Sequence, residues 1–228
     1  MIIWLNGGFG AGKTTLAEEL RRRLPDAVLY DPEQVGLTLW NWLPHGGDFQ
    51  HLPSWRELVI ATAVSLRRHH ADTLIVPMSL IRDAYRDEIL GGLADAGEHV
   101  VHVFLELDAG VLRARLNARV TRPGWEWEKT AKQLGMTGVD EMVAAAARQP
   151  SGTLMLRSDQ LTPAELADEV MAAAGLDQKL SRRSCSRAYR AVPAIRRRSR
   201  QNRVREHECS GRPAARRRVQ SPGDGRKR

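Results

Sequence analysis

The chain has 228 residues, which is enough for one domain with a full hydrophobic core and too few for two large ones. Its net charge of +8 is unevenly distributed, because residues 179–228 have a balance of +15 and residues 1–178 a balance of −7. An acidic body argues against nucleic acid as its main partner, since duplex binding depends on a clustered positive surface.

Cysteine usage and hydropathy favour a cytoplasmic protein. Both cysteines, Cys185 and Cys209, lie in residues 179–228, so the body has no thiol for a disulfide or a zinc site, which fits a reducing compartment. No run approaches 18 consecutive apolar residues, and the N-terminal pattern is that of a strand rather than a signal peptide. We therefore predict no transmembrane segment.

A glycine-rich stretch between a strand pattern and a helix pattern predicts a nucleotide site. Residues 2–6 are a mostly apolar run typical of a strand, and residues 16–24 show leucines at helical spacing. Between them, Gly7, Gly12, Lys13 and Thr14 fill the P-loop pattern G-x-x-x-x-G-K-[ST]. The predicted phosphate-binding residues are Gly7, Gly8, Phe9, Gly10, Ala11, Gly12, Lys13, Thr14 and Thr15.

The residue types of this loop have a chemical reason. Glycine lets a phosphate chain approach backbone N–H groups, because no Cβ atom intervenes. We expect the Lys13 ammonium to bind the β- and γ-phosphates of ATP during catalysis, and the Thr14 hydroxyl to contact Mg²⁺. The N-terminus of the following helix adds a partial positive charge. The motif therefore predicts ATP and Mg²⁺ as ligands.

A second candidate residue follows the next predicted strand, residues 27–31. Asp31 stands at the carboxyl end of this strand, the edge where ligands bind in α/β sheets, and is a candidate catalytic base or magnesium contact. Its alternative role is a helix N-cap, since Asp-Pro-Glu-Gln is a favourable helix start. The two roles are compatible with one another.

Residues 33–68 combine two helix patterns, 33–43 and 55–68, with a polar and aromatic connection between them. This part is rich in side chains that stack on, or hydrogen-bond to, an organic substrate. For any single tryptophan, however, packing in the core is the more common role. The candidate substrate-binding residues are Trp40, Phe49, Gln50, Trp55 and Arg56.

The second half of the body continues the alternation. A continuous apolar run at 73–77 predicts a buried parallel strand. No acidic residue follows it, and this disfavours an ATPase of the motor or AAA type, in which an aspartate holds the metal there. A helix over 81–96 and a strand over 100–106 follow, and Asp108 is expected to cap the next helix.

That helix, with the residues just beyond it, is rich in arginine. Arg119 and Arg122 are candidates for neutralising charge on the γ-phosphoryl group as a lid closes, with a solvated helix face as the alternative. Residues between Gly124 and Gly138 could form that lid. A helix pattern at 139–148, a strand at 153–156 and a capping-box helix from Thr162 to Ala174 complete the body.

Five strands that alternate with helices predict an α/β protein, a three-layer P-loop kinase-like fold with a five-stranded parallel sheet and helices on both faces. We place this domain at residues 1–178. Residues 179–228 are a basic low-complexity tail, predicted to be disordered. The tail is interpreted as an appendage without a role or as an out-of-frame translation of a GC-rich gene, and a tether to nucleic acid or anionic lipid is less favoured.

Several segments together resemble the bacterial tunicamycin-resistance family. They are residues 2–7 at the entrance of the P-loop, Tyr30-Asp31-Pro32-Glu33, Asp48-Phe49-Gln50 and residues 74–78. The resemblance covers most of residues 1–178 and implies a fold similar to chloramphenicol phosphotransferase and to gluconate and shikimate kinases. It also implies an aspartate base at Asp31, lid arginines near 119 and 122, and binding of ATP and tunicamycin. The family's amphipathic C-terminal helix has no counterpart here, so its membrane association is not carried over.

The function predicted from these features is an ATP- and Mg²⁺-dependent small-molecule kinase with a nucleoside-like or natural-product acceptor. One alternative is a resistance protein that sequesters a drug in an ATP-dependent manner without phosphoryl transfer. A weaker alternative is a nucleic-acid-associated ATPase recruited by the tail.

Overall fold

A computed structural model of the chain describes residues 1–44, 47–119 and 138–176. In these residues, one or two helices separate each strand from the next, as the sequence predicts. The strands are β1 Ile2–Gly7, β2 Val28–Leu29, β3 Leu74–Pro77, β4 Val100–Glu106 and β5 Leu154–Arg157. The α-helices are α1 Lys13–Arg23, α2 Glu33–Leu39, α3 Pro53–His69, α4 Asp83–Asp95, α5 Ala109–Ala118, α6 Val139–Ala144 and α7 Pro163–Ala173. Short 3₁₀ turns cover Phe49–His51 and Ala145–Arg148.

The five strands form one parallel sheet in the order β2-β3-β1-β4-β5. Ile2 of the central strand β1 lies opposite Leu74 of β3 and Val100 of β4. This confirms the predicted α/β fold. All carboxyl ends of the strands lie along one edge of the sheet, which is where open parallel sheets bind their ligands.

Alternate residues of β1 divide the core between the two faces of the sheet. Ile3 and Leu5 belong to one hydrophobic cluster, which includes apolar residues of α1, α5 and α7. Ile2 and Trp4 belong to another, with residues of α3 and α4. Every residue of β1 is buried, as expected for a central strand covered by helices on both faces.

Two elements differ in length from the prediction. Strand β2 is only two residues long. The Val28 N–H donates to the carbonyl of Thr73, the residue before β3, and the Tyr30 N–H donates to the carbonyl of Ile75 in β3. The pairing therefore continues one residue beyond β2. Helix α2 ends at Leu39 rather than at residue 43. The chain then turns, with N–H groups of Asn41 and Trp42 donating to the carbonyls of Thr38 and Leu39, three residues earlier.

Two helix caps predicted from the sequence are present in the structure. The Asp108 side chain accepts hydrogen bonds from the N–H groups of Gly110 and Val111 at the start of α5. Thr162 and Glu165 form the predicted capping box of α7. Of the described helices, none is long and apolar enough to cross a membrane.

Three predicted features lie outside the described residues. These are Arg122, most of the lid segment between Gly124 and Gly138, and the tail 179–228. The domain boundary at residue 178 therefore stays a prediction.

Candidate functional site

The P-loop connects β1 to α1 at the carboxyl edge of the sheet. Gly7, Gly10 and Gly12 have positive φ angles of 131°, 85° and 101°, conformations that residues with a Cβ atom rarely adopt. A Cβ atom on Gly7 would also lie 2.7 Å from the backbone oxygen of Leu105. The loop therefore requires glycine both for its backbone angles and for its contact with β4.

The N-terminus of α1 is chemically suited to an anion. No side chain caps this helix, and its first turn has no acidic residue. The Thr14 and Thr15 side chains in that turn are exposed. The first N–H groups of an 11-residue helix are thus left for a ligand, and a phosphate group fits their partial positive charge.

Lys13 brings a positive charge into the loop. Its ammonium donates hydrogen bonds to the carbonyl oxygens of Gly7 at 3.0 Å and Gly8 at 2.8 Å. Burial lowers the pKa of Lys13 to about 8, Glu33 opposes this decrease, and Arg119 adds to it. The half-buried ammonium is therefore held where phosphate oxygens would offer it a stronger partner than two carbonyl groups.

Asp31 contacts the helix that follows it. Its Oδ1 accepts a hydrogen bond from the Glu33 N–H at 3.0 Å, and its Oδ2 accepts one from the Gln34 side chain at 3.3 Å. Asp31 therefore contacts the first turn of α2 through both oxygens, although the N-cap position itself is occupied by Pro32. Asp31 also lies at the edge of the sheet expected for a ligand contact.

Glu33 is a site residue for which sequence reasoning assigned no role. It is half-buried in the first turn of α2. Burial and the neighbouring Asp31 carboxylate raise the pKa of Glu33, whereas the positive charges of Lys13 and Arg119 oppose the rise. The sequence signal that could have identified Glu33 is its position two residues after the candidate Asp31. The structure therefore brings the Glu33 carboxylate within the electrostatic range of the P-loop lysine, with Asp31 beside Glu33.

Two arginines of α5 and its C-terminal end interact with the P-loop or its lysine. Arg119 follows the last residue of α5, and its charge acts on both Lys13 and Glu33. Arg115 donates hydrogen bonds to the Ser158 carbonyl at 2.9 Å and the Ala11 carbonyl at 3.5 Å, so it ties the P-loop to the segment after β5. Sequence reasoning did not select Arg115 as a site residue.

The predicted substrate-binding aromatic residues form one group around α2. The ring centroids of Phe49 and Trp55 are 5.1 Å apart, and those of Trp40 and Phe49 are 5.7 Å apart. Trp55 is fully buried and donates its indole N–H to the Pro32 carbonyl at 3.1 Å. A Cβ atom on Gly36 would lie 2.6 Å from the Phe49 ring, so glycine permits this packing.

Gln50 and Arg56 are bonded to the protein itself. The buried Gln50 amide donates to the Ser79 carbonyl at 3.0 Å. Arg56 donates to the Gln50 carbonyl and to the Glu88 carboxylate, both at 2.6 Å. These two side chains fasten α3 to α4 and to the loop after β3, which is a structural role that sequence patterns do not reveal.

A cavity of about 310 Å³ lies beside the P-loop, at the end of β4. Its wall includes Gly8, apolar residues of α5 and α6, and the polar side chains of Glu106, Asp108 and Arg157. Within the described parts of the chain, no group of three or more His, Cys, Asp or Glu side chains could hold a metal ion. The Thr14 hydroxyl at the start of α1 is an oxygen ligand of the type that Mg²⁺ accepts together with phosphate oxygens.

Comparison with solved structures finds proteins with a similar fold. The tunicamycin resistance protein of Deinococcus radiodurans is similar to the chain at 29% identity, with 77% of this chain and 95% of that chain covered and a TM-score of 0.61. A sugar kinase from Janibacter sp. HTCC2649 has 16% identity, 78% and 96% coverage and a TM-score of 0.53. A gluconokinase from Sinorhizobium meliloti 1021 has 18% identity, 80% and 97% coverage and a TM-score of 0.50. The latter two likenesses concern the fold alone.

A family model described as an AAA domain matches residues 2–148. Comparison with curated proteins gave no match. No acidic residue follows β3, and from the sequence this disfavours a protein of the AAA type. The family match corrects that inference. The solved structures with a similar fold include kinases. Since the match covers most of the body, the chain belongs to the AAA domain family and is a P-loop protein with a kinase-like fold.

Proposed function

We propose that the chain is an ATP- and Mg²⁺-dependent phosphotransferase that acts on a nucleoside-like or natural-product small molecule in the cytoplasm. The observation that carries the proposal is the Lys13 ammonium, hydrogen-bonded inside a P-loop at the uncapped N-terminus of α1. The likeness to a tunicamycin resistance protein supports tunicamycin-type antibiotics as the first acceptors to test.

The proposed reaction is transfer of the γ-phosphoryl group to an acceptor hydroxyl. The hydroxyl oxygen forms a bond to the γ-phosphorus, and the bond from that phosphorus to the β,γ-bridging oxygen breaks. ADP leaves with the electron pair of the broken bond, and the hydroxyl proton passes to a carboxylate near the P-loop. Transfer of this kind depends mainly on positioning and charge neutralisation.

In this account Lys13 and backbone N–H groups of the P-loop bind the β- and γ-phosphates. The Thr14 hydroxyl would hold Mg²⁺, and the ion would supply further neutralisation of phosphate charge. Arg119, whose charge already acts on Lys13, stabilises the transferring group, and Arg122 is proposed to assist it. Asp31 is retained as a proposed base or metal contact.

We place the acceptor on the side of α2, next to the carboxylates. Trp40 and Phe49 offer aromatic surface there, and the buried Trp55 packs against the Phe49 ring. Gln50 and Arg56 shape this side indirectly, because their hydrogen bonds hold the loop after β3 and α4.

One observation favours a second candidate, an ATP-dependent protein that binds the drug without modifying it. Both oxygens of the Asp31 carboxylate are engaged in contacts with α2. These contacts account for Asp31 as a structural residue, and a sequestering protein needs no base.

The experiment that tests the proposal is a ligand screen of the full chain. Its thermal unfolding is measured with Mg-ATP alone and with Mg-ATP plus each member of a panel of nucleoside antibiotics and sugars, and ADP release is measured for each ligand that raises the melting temperature. Acceptor-dependent ADP release supports the phosphotransferase. A drug that raises the melting temperature with no ADP release supports the binding protein, and no response to Mg-ATP contradicts both.

A further inference from the structure

Asn6, the residue before the P-loop, is a fully buried amide whose polar groups are all used. Its Oδ1 accepts hydrogen bonds from the backbone N–H groups of Gly7 and Leu80, both at 2.7 Å. Its Nδ2 donates to the Leu80 carbonyl at 3.0 Å and lies 3.3 Å from His102 Nε2. A side-chain amide has two donors and two acceptor positions, so Asn6 is saturated.

These contacts fix the orientation of the amide. Because the two backbone N–H groups can only donate, the atom that faces them is the oxygen, and Nδ2 must point toward Leu80 O and His102. His102 Nε2 then accepts, and its Nδ1 donates to the Thr153 hydroxyl at 3.0 Å. A chain of hydrogen bonds thus runs from the P-loop entrance, through β4, to the start of β5.

The same network reaches the proposed acceptor side. Asn6 holds Leu80 by both backbone groups, and the preceding residue, Ser79, accepts a hydrogen bond from the Gln50 side chain. Gln50 in turn accepts from Arg56 at its backbone carbonyl. The loop at 78–81, which follows β3, is therefore held between the P-loop on one side and the Phe49–Gln50 turn on the other.

We propose that Asn6 is a positioning residue for the P-loop, and that through the loop at 78–81 it couples nucleotide binding to the position of Gln50. This inference rests on the proposed nucleotide site and deepens it. Asn6 Oδ1 holds the N–H of Gly7, and the carbonyl of the same residue receives the Lys13 ammonium. A shift of Gln50 would be transmitted to Gly7 through Ser79, Leu80 and Asn6.

The test is a double-mutant cycle on Mg-ATP affinity, measured by calorimetry without any acceptor, so that direct effects on acceptor binding do not enter. We expect Asn6→Leu and Gln50→Leu each to weaken ATP binding by about fivefold or more, within the range of coupling between linked sites. In the double variant the Gln50 change should add less than twofold, because the connection is already broken.

Thr153→Val serves as the matched control. It removes the hydroxyl at the far end of the network and leaves the contacts of Asn6 with Gly7 and Leu80 in place, so it should lower the melting temperature and leave ATP affinity within twofold. If Asn6→Leu does not fold, Asn6→Ser replaces it in the cycle.

Each remaining outcome overturns a specific statement. A folded Asn6 variant with wild-type ATP affinity overturns the positioning role, and additive effects of the two substitutions overturn the coupling. Wild-type protein that binds no ATP overturns nucleotide binding and this inference together, and is thereby distinguished from failure of the inference alone.

Discussion

Asn6 and Lys13 hold opposite polar groups of the same residue: Asn6 Oδ1 accepts from the Gly7 N–H at 2.7 Å, and Lys13 Nζ donates to the Gly7 carbonyl at 3.0 Å. Gly7 itself has a φ of 131° and contacts β4 too closely to carry a Cβ atom. Gly7, the first residue of the P-loop, is thus held at its N–H by the buried Asn6 amide and at its carbonyl by Lys13.

Gly7→Ala should therefore damage both stability and nucleotide binding. The added Cβ atom would meet the Leu105 oxygen at 2.7 Å in a backbone conformation that alanine disfavours. We expect a loss of roughly 2 to 4 kcal/mol in the free energy of unfolding and a loss of measurable ATP binding. Chemical denaturation and calorimetry measure the two effects.

Gly97→Ala is the control for this substitution. Gly97 also has a positive φ, 80°, but a Cβ atom there meets nothing within 4 Å. It should cost only about 1 kcal/mol and leave ATP affinity unchanged. Equal ATP affinity in Gly7→Ala and Gly97→Ala would show that the Gly7 peptide is not part of the site.

ATP affinity should depend on the charge of Lys13. The pKa of Lys13 in this structure is about 8, and phosphate groups that bind the ammonium would raise it. Affinity is then constant below pH 8 and falls by up to about tenfold per pH unit above it, while the phosphates stay fully ionised. Calorimetry between pH 7 and pH 9.5 measures this dependence.

Lys13→Met removes the titrating group and keeps the length of the side chain. It should bind ATP weakly and with no slope above pH 8. The same slope in wild type and Lys13→Met would mean that another group titrates, and the role assigned to the ammonium would be wrong.

His102 should make the fold sensitive to acid. Burial, with a contribution from Arg86, lowers the pKa of His102 from 6.5 to about 4. Between these values the unfolded chain binds a proton that the folded chain does not, so stability is complete above pH 6.5 and decreases as the pH falls toward 4. The decrease amounts to about 3 kcal/mol at its end.

Denaturation with urea at several pH values tests this expectation, with His102→Gln as the variant that cannot titrate. The wild-type free energy of unfolding should fall more steeply below pH 6.5 than that of the variant. Parallel curves would contradict the assignment of His102 as a neutral member of the Asn6 network.

Asp31 and Glu33 should have different effects on nucleotide binding. Among the described residues, Glu33 is the carboxylate whose charge acts on Lys13. Glu33→Gln should therefore strengthen ATP binding by roughly threefold to tenfold, since it removes one negative charge near the phosphates. Asp31→Asn retains capping ability and should leave both affinity and stability nearly unchanged. Calorimetry that shows equal changes for both variants would refute this distinction.

The sequence predicts much of this architecture because its signals are local. The path from β1 through the P-loop to α1 is one continuous stretch with a specific pattern, and the caps at Asp108 and Thr162 lie within three residues of their partners. The early end of α2 was missed, because residues 40–43 continue a helical pattern that the turn does not follow.

The remainder of the site depends on partners that are distant in the sequence. Gln50 and Arg56 have the residue types of ligand contacts, but Ser79 and Glu88, to which they bond, are about 30 positions away. Asn6 and His102 are 96 positions apart and meet only because β1 and β4 are neighbours in the sheet. The roles of the other predicted residues, Arg122 and the tail included, stay predictions.

The central claim is phosphoryl transfer, and the most direct measurement is the mass of tunicamycin recovered after incubation with the full chain and Mg-ATP. Lys13→Met, incubated in parallel, is the control for contaminating kinases. The account predicts a product heavier by one phosphoryl group, formed with an equal amount of ADP in wild type and at least about 100-fold more slowly in the variant. Unmodified tunicamycin, recovered from wild-type protein that binds both the drug and ATP, would contradict it.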